Sequence, residues 1–237
     1  MRTPTPIEQR LLKTQQELQD CPHLTVNRSL TGELGQIFEK TPALFGYLPE
    51  WDGVVLSSEL CVNSPRISEL ANHWWSAPGA DLPELGGEFR ITDLFSAVIK
   101  HPPDLIPSGW PGAELCSELR VIDNTPLTAA GQLAAIRIQR HTDPLEIWYY
   151  DMDMNEVEGW GRQLVRLDLT YTGYLERLVL TKGTYGWQYL FTDEVPFTDP
   201  YFKDIRTGLG AMLDHFPGLF PTWDYTDLRR RFAARFD

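Results

Sequence analysis

Asp151, Asp153 and Asn155 stand at the spacing that opens a calcium-binding loop, D-x-D-x-N. Such a loop needs glycine at its sixth position for a sharp turn and a bidentate glutamate at its twelfth to close the ligand shell. Those positions hold Glu156 and Arg162, so the shell cannot close and no metal is expected. The five histidines (His23, His73, His101, His141 and His215) are scattered, and none falls in an H-E-x-x-H pair. Gly208 and Gly210 lie inside a helical pattern, without the third glycine or the preceding strand that dinucleotide binding requires. Neither a phosphate loop of the G-x-x-x-x-G-K-S/T type nor a G-x-S-x-G nucleophile elbow occurs. No catalytic residue and no cofactor is therefore assigned. Paired carboxylates are too common in so acidic a chain to identify a glycosidase, and most of the eight tryptophans lie in apolar segments that suit packing.

Charge separates more sharply than motif. Twenty-one lysines and arginines face 33 acids, for a net charge of −12. That balance opposes contact with nucleic acid or an anionic membrane and favours a basic partner. Between His141 and Gly161 there are six acids (Asp143, Glu146, Asp151, Asp153, Glu156, Glu158) and no base. A second stretch, between Arg66 and Arg90, holds four acids and again no base. Arg229, Arg230, Arg231 and Arg235 make the final helix cationic, as suits a helix C-terminus. No apolar run approaches the roughly 18–20 residues of a membrane span, and the start of the chain lacks the apolar segment of a secretory signal. Three widely spaced cysteines, Cys21, Cys61 and Cys116, suit reduced thiols in a cytoplasmic protein.

The elements that must position these groups follow from periodicity. A first helix runs from Pro6, with Ile7, Leu11, Leu12 and Leu18 as its stripe, to the break at Asp20. Thr31 is expected to cap a short second helix bearing Leu34, Ile37 and Phe38, before an irregular stretch from Thr41 to Leu60. A third helix is expected from Ser64, carrying Ile67, Leu70, Ala71, Trp74 and Trp75. A short strand over Glu88–Ile91 precedes a helix capped by Thr92, with Leu94, Phe95, Val98 and Ile99. Pro102 to Gly112 reads as a loop. An antiparallel meander then follows in three strands, Leu133–Gln139, Leu145–Tyr150 and Gln163–Thr170. Thr170 caps a helix striped by Tyr171, Tyr174, Leu175, Leu178 and Val179, closed by Lys182 and Gly183. Two more helices are expected, one opening at Asp199–Pro200 and one over Asp224–Phe236.

The expected architecture is one α+β domain over 1–237, its antiparallel sheet covered by helices mainly on one face. Residues 1–63 form an N-terminal helical extension, 64–182 the α+β core, and 183–237 the C-terminal helices. The order of elements over 64–182 resembles the SUKH superfamily. Four features carry the likeness: a helix ending in an aromatic turn (Ile67–Trp75), a Gly86–Gly87 step into a strand and helix, a meander including Glu146 to Asp151, and a strand running into the Tyr171–Leu178 helix. The chain departs from the family in its helix start at Tyr171 and in its long extensions. The resemblance implies a non-enzymatic fold that acts by protein binding; several family members are immunity proteins that neutralise basic nuclease toxins.

The leading functional expectation is thus a protein-binding module for a basic partner such as a toxin domain, or a related regulator. The alternative is a small-molecule enzyme whose cleft of acidic and aromatic residues assembles from distant positions; a scaffold is the third. The expected partner surface comprises Asp143, Glu146, Tyr149, Asp151, Asp153, Glu156, Glu158 and Trp160. Strand alternation places Trp148 and Tyr150 on one face and Tyr149 on the other. With helices on one face only, Trp148 and Tyr150 are expected inside and Tyr149 outside as an anchor.

Overall fold

A computed structural model describes residues 3–35, 51–106, 109, 112–128, 130–158 and 162–236. Among these, seven strands pair in the order in which they leave the chain, each antiparallel to the next. They are β1 (Leu24–Thr31), β2 (Glu69–Ser76), β3 (Gly86–Thr92), β4 (Leu119–Asn124), β5 (Gln132–Arg137), β6 (Ile147–Asp151) and β7 (Leu164–Leu167). The helices are α1 (Pro6–Asp20), α2 (Ser58–Asn63), α3 (Leu94–Ile99), α4 (Ala113–Glu118), α5 (Tyr171–Thr181), α6 (Phe202–Leu219) and α7 (Thr226–Phe236). Short 3-10 helices span Met152–Glu156 and Trp187–Phe191. The class is α+β, as expected.

Local chemistry starts and stops the helices. At α1, Thr5 and Glu8 form a capping box: the Glu8 N–H donates to Thr5 Oγ1 at 3.4 Å and the Thr5 N–H to Glu8 Oε2 at 2.7 Å. Glu8 is buried and also pairs with Arg66 at 2.7 Å, which pins the helix start to the approach to β2. Thr170 caps α5 by accepting the Gly173 N–H at 3.1 Å. The same helix ends with Lys182 and Gly183 in the left-handed region, at φ 56° and 69°.

The two faces of the sheet are covered unequally. Trp74, Phe89, Ile91, Ile136, Ile147, Tyr149 and Val165 belong to the main core, which extends from Ile7 to Phe236. The helices meet this face: Trp74 packs on Phe216 of α6, Tyr149 meets Tyr189 edge-on, and Tyr174 of α5 reaches Asp123 of β4. On the opposite face a smaller cluster joins Cys116, Leu119, Ala135, Tyr150 and Leu164, with Leu105, Ile106 and Leu115 laid over it. The second face is therefore not bare.

Three expectations change. Ile67–Trp75 is not a helix: Glu69–Ser76 is a strand paired on both sides, by β1 and β3. Its apolar spacing satisfies both periods. The deciding context is across the sheet, where Gly87 and Gly86 lie opposite Trp74 and Trp75 and leave room for the two indoles. One of the four features that carried the SUKH likeness is thus a strand. Thr31 ends β1 instead of capping a helix, and the Gly32 N–H continues the pairing to the Glu69 carbonyl at 2.7 Å. Ile37, Phe38 and the first half of the stretch from Thr41 to Leu60 lie outside the described residues. Asp93, not Thr92, caps α3, accepting the Ser96 N–H at 2.9 Å. The first 63 residues thus contribute β1 to the sheet as well as helices. The strands β5, β6 and β7 fall where the meander was expected, each within one to three residues at its ends.

Candidate functional site

The expected partner surface centres on β6 and the turn after it, and its eight residues do not share one environment. Alternation sends Ile147, Tyr149 and Asp151 to the main core. Tyr149 is 1% exposed, so it cannot be the surface anchor. Tyr149 lies on the face that the helices and the Trp187–Phe191 turn cover, the opposite of the expected choice, while Tyr150 is buried in the second cluster and Trp148 is half-buried. The Tyr149 hydroxyl has no hydrogen-bond partner among the described residues. Burial, and then the nearby Asp151 charge, push its ionisation well above the usual tyrosine range.

Asp151 is a structural hub and is not part of a surface field. Its Oδ2 accepts the Tyr189 hydroxyl at 2.9 Å, the Tyr201 hydroxyl at 3.0 Å and the Gln132 amide at 3.0 Å. Its Oδ1 accepts the Asp153 N–H at 3.1 Å and so starts the 3-10 turn. Burial pushes its carboxyl upward against these donors. Loss of this side chain to the interior also removes the first ligand that a calcium loop would need. Among the described residues, no group of three or more His, Cys, Asp or Glu is placed to hold a metal.

Glu146 is largely neutralised. It pairs with Arg137 at 3.1 Å and Arg166 at 3.4 Å, and accepts the Trp148 indole N–H at 2.9 Å. Burial raises its carboxyl, but the indole and the two guanidiniums outweigh it and hold the group below the usual range. Asp143 is exposed at the far end of β6, beside a cavity of about 220 Å3 lined also by Ser57, Thr170 and Tyr171. The field is thus broken in the middle.

What remains is a compact acidic turn. Asp153, Glu156 and Glu158 are exposed, and among the described residues no cation pairs with them. Met154 and Val157 plug the turn into the core. Asp199 joins from the start of the C-terminal helices, accepting the Glu158 N–H at 3.3 Å. Met152, 45% exposed, is the apolar side chain presented beside these acids. Trp160 lies outside the described residues. Sequence reasoning missed Met152 and Asp199; the first was signalled by its place at a strand end, the second by nothing local.

A second perturbed carboxyl lies deeper. Asp123 is fully enclosed, with Oδ2 accepting the Tyr174 hydroxyl at 2.7 Å and Oδ1 the Arg90 N–H at 2.8 Å. Burial, reinforced by the Glu88 charge, pushes it up to about 7. Neither Asp123 nor Asp151 lines the 220 Å3 cavity or the grooves at Lys13, Arg137 and Trp75. Among the described residues, no helix is long and apolar enough to cross a membrane.

Comparison with protein-family models, with curated proteins and with solved structures returned no match.

Proposed function

We propose that this chain is a non-enzymatic protein-binding module that docks a basic protein through the acidic turn at Met152–Glu158. The observation that carries the reading is the state of Asp153, Glu156 and Glu158: exposed, without a cation among the described residues, and held on a turn that Asp151 anchors from below. Unpaired carboxylates on a rigid support keep their field for an incoming partner, and a net charge of −12 adds a long-range pull. Met152 supplies apolar area at the same place. The SUKH resemblance names the partner class, a toxin domain such as a nuclease, whose own polyanionic substrate requires a basic surface. The competing enzyme reading is best served by a carboxyl pushed upward, toward neutrality, that a substrate can reach; Asp123 and Asp151 are pushed that way but line none of the cavities named above.

The test is capture at low salt from an extract of the native host, with the native chain and an Asp153→Lys/Glu156→Lys/Glu158→Lys variant run side by side. A basic protein retained by the native chain and lost by the folded variant supports the proposal. Retention of the same proteins by both, or of none, refutes it.

A further inference from the structure

The second base-free stretch, between Arg66 and Arg90, has no part in the acidic turn, and it meets a different cavity. A groove of about 520 Å3 opens where the end of β2 and start of β3 face the Thr184–Tyr185 turn and α6. Trp75 and Tyr185 supply its aromatic wall, with ring centroids 5.4 Å apart and planes tilted by 42°. The Trp75 ring is fixed from two sides. Its indole N–H donates to His73 Nε2 at 2.8 Å, and the ring lies across the backbone of its register partner Gly86, where any Cβ would collide with it. On the α6 side Gly208 leaves the groove open; a Cβ there would meet no atom within 4 Å.

The charges lining the groove are all of one sign. Glu84 and Asp204 are exposed in it, no lysine, arginine or histidine among the described residues lines it, and neither acid has an ion-pair partner among them. Aromatic faces attract a cation through the ring quadrupole, and a planar guanidinium both stacks on them and donates N–H groups to two carboxylates. An ammonium would use the carboxylates and the ring quadrupole but has no plane to stack on the wall. We infer that this groove receives an arginine side chain of the basic protein partner, stacked against Trp75 and Tyr185 and paired with Glu84 and Asp204. The inference rests on the proposed protein-binding function and adds a second contact to it, where the partner is anchored after the acidic turn has steered it in.

N-acetyl-arginine amide is the probe, and the indole N–H resonances of the native chain, labelled on tryptophan, are the readout. The Trp75 signal is assigned by its loss in Trp75→Phe. The expected result is a saturable shift of that signal, absent with the neutral isostere N-acetyl-citrulline amide and weakened about tenfold or more in Glu84→Gln/Asp204→Asn. Both substituted residues are exposed, so that variant keeps the fold, which its remaining indole signals verify. No saturable shift, equal binding of the citrulline amide, or equal binding by the double variant overturns the inference. The probe needs no partner, so its failure leaves capture through Asp153, Glu156 and Glu158 standing. Failed capture, in turn, leaves the probe result readable.

Discussion

Replacing Asp123 by asparagine should make the protein more stable above neutral pH. The carboxyl is fully enclosed, and burial with the Glu88 charge raises it from 3.8 to about 7. Each pH unit between the folded and unfolded values is worth about 1.4 kcal/mol. The folded state holds the proton more tightly than the unfolded chain. Its contribution to folding is therefore fully present below pH 3.8 and is lost as pH rises through 7. The accumulated loss between pH 4 and pH 8.5 is about 4 kcal/mol. The asparagine would carry no charge at any pH, would keep an oxygen for the Arg90 N–H, and would leave Tyr174 to reorient its hydroxyl. Urea denaturation of both chains at steps from pH 4 to pH 8.5 isolates the group, since every other titration appears in both. The stability difference, variant minus native, should grow by about 4 kcal/mol across that range. A difference constant to within about 0.5 kcal/mol would show that Asp123 is hydrated in the folded state and refute the description of its site.

The acidic turn should behave differently. Reversing Asp153, Glu156 and Glu158 to lysine should leave denaturation within about 0.5 kcal/mol of native, because exposed charges contribute little. With a verified partner, it should slow association at least about tenfold at low salt and flatten the salt dependence, read by stopped flow. Arg66→Met should cost about 3 kcal/mol in urea denaturation, since it strands the buried Glu8 carboxylate without its cation. Burial pushes the Glu8 carboxyl up, but Arg66 and two backbone donors outweigh it and hold the group below the usual carboxylate range. Its contribution is thus present above pH 4.5 and is lost as pH falls through its lower folded value. Glu8→Gln should accordingly flatten the acid limb of the stability curve. Gly87→Ala should cost about 1–3 kcal/mol by thermal or urea unfolding, because its Cβ would sit 2.7 Å from the Gly183 carbonyl and 2.8 Å from the Trp74 ring.

Much of the second half of the chain is legible in its sequence. Thr170 with its stripe of Tyr171, Tyr174, Leu175 and Leu178 has one period and one cap, and α5 forms there. Val165, Leu167 and Leu169 alternate with Arg166 and Asp168 at the two-residue period of a strand, and β7 forms there. The first half carries conflicting signals. Leu70, Ala71 and Trp74 fit a helical face as well as a strand, and only the distant pair Gly86 and Gly87 decides between them. Strand β4 is disguised by the register shift between Val121 and Asp123, which breaks its alternation. The site was obscured for a different reason. Charge counting treats every acid as exposed, yet the groups that draw Asp151 inward, Tyr189 and Tyr201, lie 38 and 50 residues away. Tyr149 is covered in the same way, by the ring of Tyr189 40 residues on, which leaves no local mark in β6.

The chain-order sheet has a consequence for how the protein is made. Every strand pairs with its immediate neighbour in sequence, so the backbone ladder is able to grow strand by strand as the chain leaves the ribosome. After Leu11, Leu18 and Leu94, the rest of the cover for its principal face comes last: Tyr174, Trp187, Phe202 and Phe216 are all in the final third. Closure onto α1 then joins Lys182 to Glu17 across 165 residues. At about 5–20 residues per second, synthesis of that final third takes on the order of several seconds. Throughout that interval part of the cover over Trp74, Phe89 and Ile91 is still missing, and apolar surface of that kind on a nascent chain is what holdase chaperones bind. Protection of the growing chain is therefore needed most after its strands have paired, and it ends only when α5 and α6 arrive.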